Sequence, residues 1–373
     1  MHDSTLDQVF AWTNLLLAHQ RAAKGKRGKP SVAAFELDLA DRLIDLQEAL
    51  RSRSYRPGAY RHFFVHESKR RKISAAPFRD RVIHHALVQV IEPIFERRFI
   101  PHSYANRIGR GTHRALDQAA RFARQYTFVL RIDIVRHFAS IDHAILQAYL
   151  ERFIRDDGLR WLIATIIASG RGVLEEECPP TWFAGDDLWA PLRPKGLPIG
   201  NLTSQFWSNC VLDPVDQFVW RSLRHRAYLR YVDDLLVFSD SKRALWAAKR
   251  AITERLSALR LRMHEREAQV MTTRAGVPWL GFIIGPERRR PKARKVRHFT
   301  RLFRRRWEDY EAGRISFGAL DASVRGWLEH LRRADTQGLV RHLLDVWPPE
   351  LDPEGEVIAP PVVRADSPRG RRS

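Results

Sequence analysis

Three aspartates stand where carboxylates are least at home. Asp233 and Asp234 interrupt an apolar stretch, and its halves, Tyr228–Val232 and Leu235–Phe238, are rich in β-branched, aromatic and leucine residues. Each half reads as a short strand, and the aspartate pair fits the two-residue turn of a β-hairpin. Asp133 lies near the end of a third apolar run, Val129–Ile134. Paired aspartates are common in solvated turns. Asp156–Asp157 and Asp186–Asp187 look like such loop residues, because no strands flank them. Buried paired charge, by contrast, persists mainly where a cation compensates it. One carboxylate from a strand and two from a hairpin make a hard-oxygen site suited to Mg²⁺ or Mn²⁺. Two such ions about 4 Å apart can clamp the attacking and leaving oxygens of a phosphoryl transfer.

The surrounding periodicities supply elements to position these groups. Helical spacing of apolar residues predicts helices over 5–22 and 33–51, then over 80–95 and 112–125. Ser140 or Asp142 can cap a helix over Ala144–Phe153. Strands are predicted over 60–65, 72–76 and 278–284. Residues 155–195 form a long connection, helical over 159–169 and otherwise mostly loop. Helices over 204–223 and 241–261 flank the aspartate hairpin. The run 286–307 holds eleven basic residues and one acidic. Val296, Phe299, Leu302 and Phe303 recur in it at helical spacing, which gives one apolar and one basic face. Helices over 315–334 and 338–345 follow, and the proline-rich tail beyond Pro348 reads as disordered.

The balance of charge narrows the partners. The 373 residues carry 64 basic and 43 acidic side chains, a formal net charge of +21, with a pI near 10.7. Such an excess predicts a polyanionic partner, most simply nucleic acid. An anionic membrane lacks its helix here, because no apolar run approaches the roughly 18 residues of a span. Cys178 and Cys210 have no metal-ligand spacing and read as reduced thiols of a cytoplasmic protein. There is no internal repeat, zinc motif or nuclease motif.

Six motifs in the family's order carry a family resemblance. Tyr231–Asp234 resembles the palm hairpin of reverse transcriptases, and Asp133–Phe138 their first catalytic strand. Arg71–Arg81 and Ser103–Gly111 are similar to their fingers motifs, Gly196–Gln205 to their nucleotide-pocket motif, and Pro278–Phe282 to their primer-grip hairpin. The resemblance covers roughly residues 55–285. It implies an α/β (α+β) right-hand polymerase: a helical N-terminal extension over 1–54, of the kind group II intron-type enzymes carry, then fingers over 55–128. A mixed or antiparallel-sheet palm follows over 129–285, with the connection 155–195 inserted, and a basic helical thumb over 286–348. The implied reaction joins a deoxynucleoside triphosphate to a DNA or RNA primer on an RNA template.

The resemblance also assigns roles. Asp133 and Asp233 would hold two Mg²⁺ or Mn²⁺ ions, with Asp234 in support and the Ile134 carbonyl as a further ligand. Lys69 and Arg71 would grip the triphosphate, unless that basic loop is merely solvated. Phe138 would be a steric gate against the ribose 2′-hydroxyl, with core packing as the alternative. Ile199, Gly200 and Gln205 would line the nucleotide pocket, and Arg301, Arg304 and Arg305 would meet the duplex backbone. The Ser103–Gly111 loop is either ordinary or a backbone approach to a template phosphate. Ile199 and Gln205 replace the glutamine and proline most relatives carry, and with Asn201–Ser204 this variant resembles the reverse transcriptases of diversity-generating retroelements. Those copy RNA with errors concentrated at adenines and are expected to bind a small basic accessory protein. Two other readings stay open: a defence-associated or retron-like enzyme, and an RNA-binding protein on the polymerase fold.

Overall fold

The computed structural model describes residues 5–66, 70–332 and 334–345. It divides into two compact units, Met1–Ala275 and Gly276–Ser373. Lys69 and the tail beyond Pro348 lie outside the described residues. The α+β expectation holds: helices accompany three sheets, every ladder of which is antiparallel.

The first unit opens with four helices where two were expected: Leu6–Phe10, Trp12–Ala23, Pro30–Leu37 and Leu39–Arg51. The chain leaves helical geometry at Ala11 and Asp38. The break at Ala11 frees carbonyls, and long polar side chains take them: Asn14 donates to Val9 O at 2.9 Å, and Gln47 to Phe10 O at 2.8 Å. Strands β1 (Arg61–His66) and β2 (Arg70–Ala75) form a two-stranded ribbon, and the helix Phe78–Glu96 follows.

The central sheet is built from β3 (Phe128–Asp133), β4 (Tyr228–Tyr231), β5 (Asp234–Ser239) and β6 (Gln269–Thr272), in the order β4-β5-β3-β6. Facing pairs place Tyr228, Arg230, Leu235, Val237, Leu130 and Ile132 on one surface, and all are buried. The other surface carries Tyr231, Asp234, Arg131 and Asp133. The helix Leu202–Gln217 buries twelve of its sixteen residues, so its polar side chains must find partners inside the protein. It runs into a π-helical turn, Phe218–Ser222. Asp142, the second of the two candidate caps, caps the helix His143–Glu151, accepting from Ala144 N at 2.9 Å and Ile145 N at 3.1 Å. Asp156 likewise caps Asp157–Ser169, so it is not a plain loop residue.

The second unit holds β7 (Val277–Trp279), β8 (Phe282–Ile284) and β9 (Arg289–Pro291), then helices Ala293–Glu311, Phe317–Leu331 and Gln337–Asp345. Over 278–284 the chain forms the hairpin that the resemblance implies and not the single strand that the residue pattern predicts, because Leu280 (φ +44°) and Gly281 (φ +89°) turn it. Phe299 stacks on Trp327 at 3.6 Å. Leu302 stays 39% exposed, so only part of the apolar stripe is covered. Among the described residues, no helix is long and apolar enough to cross a membrane.

Candidate active site

The hairpin forms one residue earlier than its sequence suggests. Tyr231 pairs with Asp234, so the turn residues are Val232 and Asp233 rather than the two aspartates. Val232 adopts φ +55°, a left-handed conformation that costs a β-branched residue roughly 1–2 kcal/mol. The cause lies on the buried surface. Arg230, fully buried, donates from Nη1 to the Val232 carbonyl at 3.0 Å and to Asn209 Oδ1 at 3.0 Å. Its Nε and Nη2 grip the buried Asp216 at 2.8 and 2.7 Å, and Tyr228 OH donates to the same carboxylate at 2.6 Å. A guanidinium bonded through all three nitrogens beneath the turn therefore holds the backbone that carries Asp233.

The same network holds the Ser103–Gly111 loop. Arg230 N donates to His102 O at 2.9 Å and Tyr104 N to Arg230 O at 3.0 Å, a parallel addition to the β4 edge. Asn209 Nδ2 reaches Ala105 O at 2.9 Å, and Thr112 Oγ1 meets Tyr231 OH at 2.9 Å. Arg107 is committed to Glu96, Ile100 O and Ser103 O.

Asp133 and Asp234 are cross-strand partners at the end of β3 and β5. Burial, then the charge of Asp234, holds the Asp133 carboxyl above the ordinary carboxylate range. Burial, then Asp133, pushes Asp233 up to about 6, with the Arg71 charge pulling the other way. Asp234 accepts from Arg131 Nη2 at 3.0 Å. The Asp133 side chain has His264 Nε2 at 3.6 Å, and its carbonyl accepts from His264 N at 2.8 Å. Val135 N bonds to Arg262 O on that same edge. Backbone alternation therefore turns the Ile134 carbonyl towards the hairpin edge.

Among the described residues, no three acidic, histidine or cysteine side chains converge on one point. The three aspartates thus lie at one end of the sheet, Asp133 and Asp234 as cross-strand partners and Asp233 in the adjoining turn, with Asp234 drawn to Arg131. The group still suits a hard dication. Beyond burial, the charges of its carboxylates raise the Asp133 and Asp233 carboxyls, and its donors are all oxygen.

The other candidates divide. Phe138 is half-buried, beside the His137 ring, and its carbonyl accepts from Leu197 N at 2.8 Å. Ile199 is half-buried, while Gly200 and Gln205 are exposed. The Ile199 carbonyl accepts from Ser74 N at 2.8 Å, and buried Asn201 bonds Ala76 N and Ser74 O. Gly200, at φ +113°, lies so close to β2 that a Cβ would meet Ile73 at 2.8 Å. That glycine lets the loop approach the ribbon closely. Arg71 is exposed on β2. Arg301, Arg304 and Arg305 are exposed on Ala293–Glu311, in the second unit.

Sequence reasoning missed Arg230, Asp216, Asn209 and Arg131. A signal was available for two of them: Arg230 sits inside an apolar strand and Asp216 inside an apolar helix, and buried charges come paired.

An antiparallel sheet with aspartates at its strand ends and a strained hairpin between them is the arrangement that the resemblance to reverse transcriptases implies. The reverse transcriptase (RNA-dependent DNA polymerase) model matches residues 65–284, and the chain belongs to that family. Protein YkfC of Escherichia coli (strain K12) is 24% identical over 297 residues, 68% of this chain and 73% of YkfC. The Nuclear intron maturase 1, mitochondrial, of Arabidopsis thaliana is 28% identical over 86 residues, 23% of this chain and 12% of the maturase. An apo telomerase from Candida tropicalis superposes with a TM-score of 0.43 at 10% identity, over 62% of this chain and 48% of the telomerase.

Proposed function

We propose that this chain is an RNA-directed DNA polymerase of a diversity-generating retroelement, extending a DNA or RNA primer on an RNA template with frequent errors. The observation that carries the reading is the placement of Asp133 and Asp234 as cross-strand partners at the end of β3 and β5, with Asp233 beside them in a strained turn. Asp133, Asp233 and the Ile134 carbonyl would hold two Mg²⁺ or Mn²⁺ ions. Asp234 would tune them through its pairing with Arg131. Ions held there would lower the pKa of the primer hydroxyl and stabilise charge on the phosphates. The primer 3′-hydroxyl loses its proton to water as its oxygen bonds to the α-phosphorus, the α–β bridging P–O bond breaks, and pyrophosphate departs with the bonding electrons. Arg71 positions the triphosphate and Phe138 fills the space beside the sugar. Residues 1–54 serve as the extension, 55–128 as fingers, 129–285 as palm and 286–348 as thumb. Arg301, Arg304 and Arg305 meet the duplex there, and a small basic accessory protein completes the system.

Two experiments test this reading. Asp233→Asn should lower primer extension by at least a hundredfold while RNA binding stays within about twofold, since a lost ligand removes several kcal/mol of transition-state stabilisation. Full extension by that variant in Mg²⁺ or Mn²⁺ would overturn the assignment. The retroelement reading rests on Ile199, which offers shape without the hydrogen bond of a glutamine. Shape alone discriminates by about 1–3 kcal/mol. Sequencing the DNA made on a defined RNA should therefore show many errors opposite adenine, fewer in Ile199→Gln. An ordinary error rate unchanged by that substitution removes the retroelement and leaves the polymerase.

A further inference from the structure

β3 lies between β5 and β6, and beyond its Asp133 end the segment Arg262–His264 pairs with Asp133–Val135 on the β6 side. A cavity of about 280 Å³ opens there. Its walls carry Arg136, Arg193, Lys195, Arg260, Arg262 and His264, and no acidic residue. Two of these cations are already spoken for. Arg193 and Arg260 both pair with Asp142, at 3.3 and 2.8 Å, and with Asp186, at 2.9 and 3.5 Å. The two aspartates are buried, so this foursome is a neutral, fixed floor. Arg136, Lys195 and Arg262 are different. Arg136 donates to the Glu177 carbonyl, Lys195 reaches the Pro191 carbonyl at 3.4 Å, and none of the three has an acidic partner among the described residues. Three unmatched positive charges around one small concavity repel each other unless an anion sits between them.

The cavity's size sets the class of anion. It is near the lower end of small-molecule sites, far too small for a duplex. Arginine forks match phosphate oxygens in pairs, and lysine adds a point charge. Three positive charges answer a diphosphate better than a monophosphate. None of Arg71, Phe138, Ile199, Gly200 and Gln205, the described residues assigned to the nucleotide, lines it. It is nevertheless joined to the site, because His264 belongs both to its wall and to the surroundings of Asp133.

We propose that this cavity binds free pyrophosphate, the product released beside Asp133. The product assignment rests on the polymerase reading; the anion site rests on the cavity alone. A site of this kind retains the leaving group next to the strand that the reaction uses, so that departure of pyrophosphate becomes a step governed by Arg136, Lys195 and Arg262.

Calorimetry on the full chain in EDTA tests it, because without divalent ions the carboxylates cannot contribute. Wild-type protein should bind inorganic pyrophosphate. Arg136 and Arg262 are exposed at their outer surfaces, so the double variant Arg136→Ala/Arg262→Ala should keep its melting temperature while its affinity falls tenfold or more. Arg262→Lys should retain most of the affinity, and deoxythymidine monophosphate should not compete. No measurable binding, or binding unchanged in the double variant, overturns the site. Deoxythymidine triphosphate competing as strongly as pyrophosphate overturns the product assignment, since the cavity would then take a nucleotide's tail. Asp233→Asn should bind pyrophosphate like wild type. A wild-type chain that binds pyrophosphate but extends no primer would remove the polymerase reading and leave the anion site intact.

Discussion

Two hairpins in this chain turn on two residues each, and they solve the same problem differently. In β7–β8 the turn is Leu280–Gly281, both residues at positive φ, with glycine carrying the second left-handed position at no steric cost. In β4–β5 the turn is Val232–Asp233, and only Val232 is left-handed. The first turn has what the backbone wants. The second is imposed by Arg230, Asp216 and Asn209 underneath, and its second position carries a carboxylate instead of a glycine. Strain held by a buried network marks the place where an aimed side chain outweighs an easy turn.

The largest effect should come from removing the anchor. Arg230→Met leaves Asp216 buried without its partner, which costs about 3–5 kcal/mol. Urea denaturation of the first unit should register that loss. The double variant Arg230→Met/Asp216→Leu removes both charges and should recover most of the stability. If the anchor aims Asp233, the recovered protein should still extend primers poorly. Recovery of both stability and extension would reduce the network to packing, and the contrast between the hairpins with it.

The second effect is electrostatic. Asp233 has its carboxyl raised to about 6 in the fold, against about 3.9 unfolded. Its neutral form is thus favoured by folding. That contribution is fully present below about pH 4 and is lost as the pH rises through 6. In EDTA, Asp233→Asn should be more stable than wild type at pH 7, by about 1–2 kcal/mol after allowance for partial exposure, and equal to it near pH 4. Mn²⁺ should close the gap at pH 7 by stabilising wild type alone. A gap that does not change between pH 4 and 7 would mean that the turn holds its carboxylate without repulsion.

What the sequence displayed follows the range of the forces involved. Thr112–Gln125, whose pattern is local and strongly periodic, has the helix boundaries its sequence predicts. The helix expected over 5–22 breaks at Ala11, since Asn14 and Gln47 compensate the lost backbone bonds from elsewhere in the structure. The aspartates were legible as charges among apolar residues. Their arrangement was not, because it depends on partners distant in sequence. Arg230 meets Asp216 and Asn209 across 14 and 21 positions, and Asp234 meets Arg131 across 103. Turn propensity alone favours Asp-Asp as the turn, and only the buried guanidinium moves it back to Val232–Asp233. Gly200 shows the reverse case: its type signals close approach, but the neighbour is β2, which the motif does not name.

The smallest effect separates strain from anchoring. Val232→Gly removes a left-handed β-branched residue, a gain of roughly 1–2 kcal/mol, and adds the entropy of a glycine, a loss of roughly 0.5–1 kcal/mol. The net should be a stabilisation of up to about 1.5 kcal/mol. Leu280→Gly should give a similar change, since Leu280 is also left-handed, at +44°. The two variants should part company in dynamics. Gly281 already frees the β7–β8 turn, so a second glycine changes little there. At β4–β5 the side chain that limits the turn is gone, and only the Arg230 bond to the Val232 carbonyl remains to hold Asp233. Hydrogen exchange at the Asp233 and Asp234 amides should accelerate several-fold in Val232→Gly, with a matching fall in extension rate. Exchange and rate both unchanged would show that Arg230 suffices to fix the turn, and that the valine is tolerated rather than used.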